Sequence, residues 1–133
     1  MLSKSQARAF FLGGTAVTFL AFIGLTVYSF SPKNDQTNHQ KIDANVVRGK
    51  EIWESNNCMG CHTILGEGAY YAPELTKVYE RRGEGYIKAF LMSPIPWAPK
   101  GRKMVCYKMN DADASAVVAY FKWIGEINLN GFD

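Results

Sequence analysis

Charge is absent from one long stretch of this 133-residue sequence. No Asp, Glu, Lys or Arg occurs from Ala9 to Phe30, which excludes a solvated surface helix there. At about 1.5 Å per residue, a helix of this length crosses a hydrocarbon core roughly 30 Å thick. A cleaved signal peptide is the alternative, but its apolar region spans only about 7–15 residues. This run is longer, and Ser29-Phe30-Ser31-Pro32 is a poor cleavage signal. We therefore predict an uncleaved transmembrane anchor at residues 9–30.

Acidic residues are also absent before this run, where Lys4 and Arg8 occur. Positive residues beside a transmembrane helix stay on the cytoplasmic side. The sequence thus predicts a single-pass protein of a bacterial inner membrane, with residues 1–8 cytoplasmic, 9–30 in the membrane and everything after Phe30 periplasmic. All 12 acidic residues follow the run, so the remainder is nearly neutral. It has no basic stripe interleaved with stacking aromatics, which argues against nucleic acid as a partner.

No alternating apolar and polar pattern of useful length occurs, so we predict an all-α fold. Residues 31–45 are polar and are expected to form a tether, which leaves 46–133 as the folded domain. In that domain, Val46 to Asn56 is predicted to be a helix with Val46, Gly49 and Trp53 on one face. A glycine inside a helix costs about 1 kcal/mol against alanine, which indicates close packing at Gly49.

The expected packing partner of this face is the last helix. Asn110 or Asp111 is predicted to cap it, and it is expected to run to about Ile127. Its apolar stripe consists of Ala114, Val117, Val118, Phe121 and Ile124. Two shorter helices are predicted between them, at Pro73–Arg82 and Gly85–Met92, ended by Gly83 and Pro94. A proline-rich extended loop follows at 93–99.

Cysteine and histidine are scarce: the chain has three Cys and two His. Three of these five residues fall in one motif, Cys58-Met59-Gly60-Cys61-His62, which is the attachment signature of a c-type haem. Each cysteine adds to one haem vinyl group, and His62 ligates the iron from the proximal side. A zinc site needs more ligands at matching spacing than Cys106 and His39 supply. A thioredoxin-like motif needs a βαβ setting, and a structural disulfide leaves His62 without a role.

The opposite face of the haem decides what the iron does, because a methionine sulfur there closes the site and raises its potential. The candidates are Met92, Met104 and Met109. Met92 falls in a helical pattern that favours a core role, and Met109 adjoins the cap of the last helix. Met104 lies in an irregular stretch and is our first choice. An open or histidine-ligated iron is the alternative. His39 is expected to be a solvated histidine of the tether.

Several cations surround this region: Lys100, Arg102, Lys103 and Lys108. They are expected either to attract an acidic partner or haem propionates, or to form a solvated loop. Arg81 and Arg82 are expected either to bind a propionate or to close a helix C-terminus. Cys106 has no partner in the sequence and is expected to be an inert free thiol.

The sequence around the motif resembles one family closely. The matching segments are Val-Val-Arg-Gly-Lys at 46–50, Trp53, Asn56-Asn57-Cys58, Cys61-His62-Thr63, Gly66-Glu67-Gly68-Ala69-Tyr70, Ala72-Pro73-Glu74-Leu75, Arg81-Arg82-Gly83 and Phe121-Lys122-Trp123. Together they resemble the small cytochrome c subunit of bacterial cytochrome c-dependent nitric oxide reductase. The resemblance covers nearly the whole chain, and the run after the haem motif is more specific than the motif itself.

The resemblance implies a membrane anchor followed by a class I-like mono-haem cytochrome c domain at residues 46–133. It implies a non-catalytic electron-transfer subunit that carries one covalent haem c. Electrons would come from a soluble periplasmic cytochrome c or a small copper protein. They would pass to haem b of a large multi-helix catalytic subunit, which reduces two NO to N2O and water at a second haem b and a non-haem iron.

The resemblance also assigns residues. Met104 matches the family's axial methionine, although the proline that usually follows it is Val105 here, and Cys106 and Lys108 also depart from the family pattern. The loop at Gly68 and Tyr70 would meet the catalytic subunit and help to bind a shared calcium. The Pro73 carbonyl would accept a hydrogen bond from the ligating histidine.

Two other functions remain open from the sequence. One is a free-standing membrane-anchored electron shuttle, or the cytochrome c subunit of an oxygen-reducing haem-copper relative. The other is a haem sensor or gas-binding protein with an open distal site, which would bind CO readily when ferrous.

Overall fold

The structure is a computed structural model that describes residues 3–30, 38–96 and 103–129. The chain divides into two compact units, Met1–Thr37 and Asn38–Asp133. The described residues form four α-helices and one two-stranded hairpin. The prediction of a mainly helical chain is therefore confirmed.

The first unit contains one helix, α1, which runs from Lys4 to Phe30. It includes the predicted anchor and begins five residues before it. The helix has a mean hydropathy of 2.0 in its most apolar window and buries none of its residues within the chain. The hydroxyl groups of Thr18, Thr26 and Ser29 bond back to helix carbonyls, as when Thr26 Oγ1 donates to Phe22 O at 2.8 Å. Length and internally satisfied polar groups are both what a membrane span needs.

The second unit begins its helical part with α2, at Ala44–Ser55. The helix starts two residues before the predicted Val46, because the Asp43 carboxylate caps it by accepting the Val46 N–H at 2.8 Å. Its buried residues are Val46, Gly49 and Trp53, so the predicted face is confirmed.

The last helix, α4, runs from Asp111 to Gly125 and ends two residues before the predicted end. Asn110 is its cap, since Asn110 Oδ1 accepts the Asp113 N–H at 2.8 Å. All five residues of the predicted apolar stripe are buried, together with Ala116 and Tyr120, which the pattern did not indicate.

Helices α2 and α4 pack directly against each other at Gly49. A Cβ atom on this glycine would lie 2.1 Å from the Ala116 carbonyl oxygen, so only glycine allows the observed approach. Beside this contact, Arg48 on α2 forms an ion pair with Asp113 in the first turn of α4. The predicted packing of the first and last helices of the domain is therefore confirmed.

The prediction for the middle of the domain was only partly correct. Helix α3 runs from Val78 to Met92, and Gly83 interrupts it with φ 74° and ψ 165°. The break at Gly83 and the end before Pro94 are confirmed, but a helical start at Pro73 was wrong. Residues 73–75 have no regular secondary structure, and the N–H groups of Ala72 and Leu75 donate to the carbonyls of Cys61 and Thr63.

A short hairpin that the sequence analysis missed follows the haem motif. Strands β1 (Thr63–Ile64) and β2 (Glu67–Gly68) pair antiparallel. The two residues between them, Leu65 and Gly66, have φ of 52° and 82°. Positive φ at both central positions is typical of the tight hairpin turn whose twist matches its strands.

Part of the predicted tether is attached to the domain. Residues 31–37 lie outside the described part of the chain. From Asn38 onward, the backbone packs on the end of α4: Asn38 Nδ2 donates to Glu126 O at 2.6 Å, and Trp123 Nε1 donates to Asn38 O at 3.2 Å. His39 is exposed in a 3-10 turn at His39–Lys41.

Candidate haem site

The Cys-x-x-Cys-His motif folds into a tight turn directly after α2. Asn57 takes a left-handed conformation with φ 50°, and a 3-10 turn spans Cys58–Gly60. The Cys58 carbonyl then accepts the N–H groups of Cys61 at 3.1 Å and His62 at 2.9 Å. This turn places the two thiols and the imidazole at the wall of one cavity.

That cavity has a volume of about 460 Å³, and its lining is mostly apolar. Helices α2, α3 and α4 and the segments on either side of α3 supply its walls. Its apolar lining includes Ile52, Trp53, Leu75, Val78, Ile87, Phe90, Leu91, Val117 and Phe121. A concave apolar pocket with a few placed polar groups is typical of a cofactor site.

The imidazole of His62 is held in one tautomer. Its Nδ1 lies 2.7 Å from the Pro73 carbonyl oxygen. Because a carbonyl oxygen only accepts, Nδ1 carries the proton and donates it. The other ring nitrogen, Nε2, therefore keeps its lone pair and is available as an iron ligand. The hydrogen bond that the family resemblance implied is thus present.

A set of hydrogen bonds joins the loop at residues 72–76 to residues 61–65. Ala72 N donates to Cys61 O at 2.8 Å, and Leu75 N donates to Thr63 O at 2.9 Å. Leu65 N in turn donates to the hydroxyl of Thr76 at 2.7 Å. These bonds flank the contact between His62 and Pro73, so they position the acceptor for the imidazole.

Gly68 closes the hairpin against the motif. It has φ of 118°, and a Cβ there would lie 2.2 Å from the His62 carbonyl oxygen. Packing inside the domain therefore already requires a glycine at this position. Tyr70, two residues later, is 80% exposed. The described residues contain no group of three or more His, Cys, Asp or Glu suited to a metal, so a calcium site at Gly68 and Tyr70 stays a prediction.

Two of the candidate methionines line the cavity. Met104 and Met109 are both partly buried and both contribute to its wall. Met92 is 38% exposed and is not part of the cavity lining, so its expected core role was wrong. Of the three candidate methionines, the cavity lining thus includes Met104 and Met109, and Met104 as the sixth ligand stays a prediction.

Among the described residues, three cations line the cavity: Arg81, Arg82 and Lys103. Arg81 pairs with Glu74, with Nη1 3.3 Å from Oε2. The Arg82 guanidinium lies 5.2 Å from the centre of the Tyr86 ring. Lys108 is exposed, and Lys100 and Arg102 lie outside the described residues. Cys106 is a partly buried free thiol, as expected.

Two residues near the thiols were missed in the sequence analysis. Tyr107 lines the cavity, and its hydroxyl lies 3.4 Å from the Asn56 carbonyl oxygen. Trp53 was expected only in the core, but its ring centre lies 6.3 Å from that of His62. Burial raises the pKa of the Cys58 thiol and of the Tyr107 phenol, so both stay protonated at neutral pH in the unmodified chain.

The two thiols, the oriented imidazole and a cavity-lining methionine are together the donor set of a c-type haem. Comparison with known proteins agrees, because the Cytochrome c family model matches residues 46–125. The domain is thus a cytochrome c domain.

Whole-chain relatives define the family further. The chain is 38% identical to the C subunit of nitric oxide reductase from Stutzerimonas stutzeri, over 96% of this chain and 91% of that protein. It is 39% identical to the protein of the same name from Halomonas halodenitrificans and 36% identical to that from Paracoccus denitrificans, with the same shares of each chain covered. The chain belongs to the family of nitric oxide reductase C subunits, and so is a non-catalytic cytochrome c subunit of that enzyme complex.

Proposed function

We propose that this chain carries one covalent haem c, bound through Cys58 and Cys61, with His62 and Met104 as the axial ligands of its iron. The observation that carries the proposal is the cavity at which both thiols, the His62 ring and Met104 meet. When bound, the haem supplies a one-electron carrier whose potential depends on its axial ligands and surroundings. The protein residues hold it, orient the proximal ligand and exclude water.

Each wall of the cavity has a role in this proposal. The Pro73 carbonyl keeps His62 Nε2 free for the iron, because it accepts a hydrogen bond from Nδ1–H at 2.7 Å. The apolar side chains of α3 and α4 lower the local dielectric, which favours the less charged reduced state. Arg82 and Lys103 are the cavity-lining cations suited to the haem propionates.

The choice of Met104 rather than Met109 is tested by opening the site. In Met104→Ala, the sixth position of the iron loses its sulfur, so the ferrous protein should bind CO readily and lose the sulfur-to-iron absorption band. Met109→Ala is the matched control and should keep both properties of the parent. CO binding by Met109→Ala alone would transfer the ligand role to Met109.

The electron path is also part of the proposal. A soluble periplasmic cytochrome c or small copper protein reduces this haem, and the electron then passes to haem b of the large catalytic subunit, where two NO become N2O and water. The whole-chain match to relatives named as the C subunit of nitric oxide reductase supports this path. We further propose that Gly68 and Tyr70 contribute to a calcium site shared with the large subunit, and metal analysis of the purified complex tests this.

The membrane arrangement follows from α1. We propose that Lys4 and Arg8 hold the N-terminus in the cytoplasm of a bacterial cell, with 9–30 in the inner membrane and the haem domain in the periplasm. Protease added to intact spheroplasts should digest the haem domain and leave an N-terminal tag protected. Protection of the haem domain instead would reverse the orientation.

The decisive experiment is purification of the native protein in mild detergent. We expect it to co-purify with a large subunit that contains haem b and non-haem iron, and to reduce NO only in that complex. A monomeric haem protein without such a partner would contradict the proposal and favour a free-standing shuttle. Oxygen reduction by the complex would favour a haem-copper relative instead.

A further inference from the structure

The Arg81 side chain is joined to the loop that orients His62. Its Nη2 donates to the Glu74 main-chain oxygen at 2.5 Å, and its Nη1 lies 3.3 Å from the Glu74 carboxylate. Glu74 directly follows Pro73, and the Pro73 carbonyl accepts the hydrogen bond from His62 Nδ1–H. The Arg81 guanidinium thus binds both the backbone and the side chain of Glu74, which is the residue next to Pro73.

The same carboxylate is held a second time from within the loop. Glu74 Oε1 accepts the N–H of Thr76, and the Thr76 hydroxyl accepts the N–H of Leu65 at 2.7 Å. Thr76 is only 5% exposed, so this end of the loop is anchored in the domain. Arg81 and Thr76 therefore fix Glu74 from two sides.

From this arrangement we propose that Arg81 is a positioning residue, which sets the strength of the hydrogen bond between His62 and Pro73 and through it the haem potential. The inference rests on the proposed function, because it requires His62 to ligate the iron. A planar guanidinium has several donors in a fixed fork, so it binds two oxygens of Glu74 at once. A lysine ammonium is a point charge on a flexible stem and cannot reproduce that fork.

The physical link to the potential is the basicity of the imidazole. A strong bond from Nδ1–H to a carbonyl raises the electron donation of Nε2 to the metal. Stronger donation stabilises the oxidised iron. A weaker hydrogen bond between His62 and the Pro73 carbonyl therefore raises the reduction potential of the haem. An ion pair whose partners are about half exposed adds little to folding stability, so replacing Arg81 should alter the loop without unfolding the domain.

The test uses the full-length haem-loaded chain in detergent and compares Arg81→Lys with Arg48→Lys. Both variants keep their positive charge. Arg48 pairs with Asp113 and lies outside the cavity wall, so it is the matched control. For Arg81→Lys we expect the ratio of oxidised to reduced haem at a fixed potential to fall by about threefold. That corresponds to a rise of roughly 28 mV for a one-electron couple at 59 mV per tenfold.

A second readout follows the hydrogen bond itself. By NMR, the His62 Nδ1 proton should exchange with solvent at least tenfold faster in Arg81→Lys than in the parent, with no change in Arg48→Lys. Should Arg81→Lys fail to hold haem, Arg81→Met takes its place in the exchange measurement. This variant removes both bonds to Glu74, and proton exchange at His62 is less sensitive than the potential to the loss of a charge near the iron. Faster exchange in that variant supports the proposal.

The outcomes separate the two levels of inference. An unchanged potential and unchanged exchange in Arg81→Lys, or unchanged exchange in Arg81→Met, would overturn the positioning role and leave the proposed function intact. A parent chain without covalent haem, or with an iron not bound to His62, would overturn the proposed function itself.

Discussion

Gly49 is the single residue on which the helix pair under the haem site depends most directly. In Gly49→Ala, the new methyl group would meet the Ala116 carbonyl oxygen at 2.1 Å and the Tyr120 Cβ at 2.7 Å. Because both atoms belong to a packed helix, α4 must move away. We expect a loss of about 3 kcal/mol in the free energy of unfolding, at the upper end of typical overpacking costs. Denaturant titration of the haem-loaded chain measures it.

Gly85→Ala is the matched control for this substitution. Gly85 lies in α3, and a Cβ there would have no neighbour within 4 Å. Alanine is the better helix former by about 1 kcal/mol, so this variant should be as stable as the parent or more so. Equal stability of the two variants would mean that α2 and α4 do not touch at Gly49.

At the scale of residues, the sequence predicted those sites whose chemistry is local. The motif at 58–62 predicted a haem site, and both thiols and the His62 ring do line one cavity. A mid-helix glycine predicted close packing at Gly49. Tyr107 was missed because its approach to Cys58 depends on a loop path that no spacing encodes. The choice between Met104 and Met109 also depends on that path, since both residues reach the same cavity.

At the scale of elements, the start of the second unit is held on the end of α4 by charge as well as by backbone bonds. Lys41 Nζ lies 2.8 Å from the Glu126 carboxylate. This hydrogen bond lowers the pKa of Glu126 below its ordinary value of 4.5. A carboxyl with a lowered folded pKa stabilises the fold above its unfolded pKa, and the contribution is lost as the pH falls through the folded value.

The variant Glu126→Gln should therefore be less stable than the parent near neutral pH and equally stable in acid. The side chain of Glu126 is 37% exposed, so we expect a difference below about 1 kcal/mol. Urea titrations at about pH 7 and about pH 3 measure the difference. In a Lys41→Met background, Glu126→Gln should have a smaller effect near neutral pH, because only the charge of Lys122 still favours the carboxylate there. A difference that persists in acid would assign the effect to packing.

The helices and strands that local contacts stabilise were predicted well, whereas those held by bonds to distant residues were not. Helices α2 and α4 each bury one regular apolar face, so periodicity located both, and caps set their starts. The prediction of a helix from Pro73 was wrong because this loop is hydrogen-bonded to Cys61 and Thr63. Such pairing between residues distant in sequence is not visible in a local pattern. The hairpin at 63–68 is too short for any alternation to be visible.

At the scale of the whole molecule, the described side chains of the second unit surround a space that they do not fill. The cavity of about 460 Å³ lies among the residues that make up its core. Apolar side chains that line such a space lack packing partners on one side, so a group that fills it adds to the stability of the unit.

If Cys58 and Cys61 hold the haem as proposed, the double variant Cys58→Ser/Cys61→Ser should lose the cooperative fold of the second unit, because no thioether then retains the haem in its cavity. We expect a broad thermal transition and weaker near-ultraviolet circular dichroism, while α1 keeps its helical signal in detergent. Cys106→Ser is the matched control, and should bind haem and melt like the parent. A cooperative transition at the parent's temperature in the haem-free chain would mean that α2, α3 and α4 pack without the cofactor. The haem would then bind to a domain that is already folded, and would not be needed to complete its core.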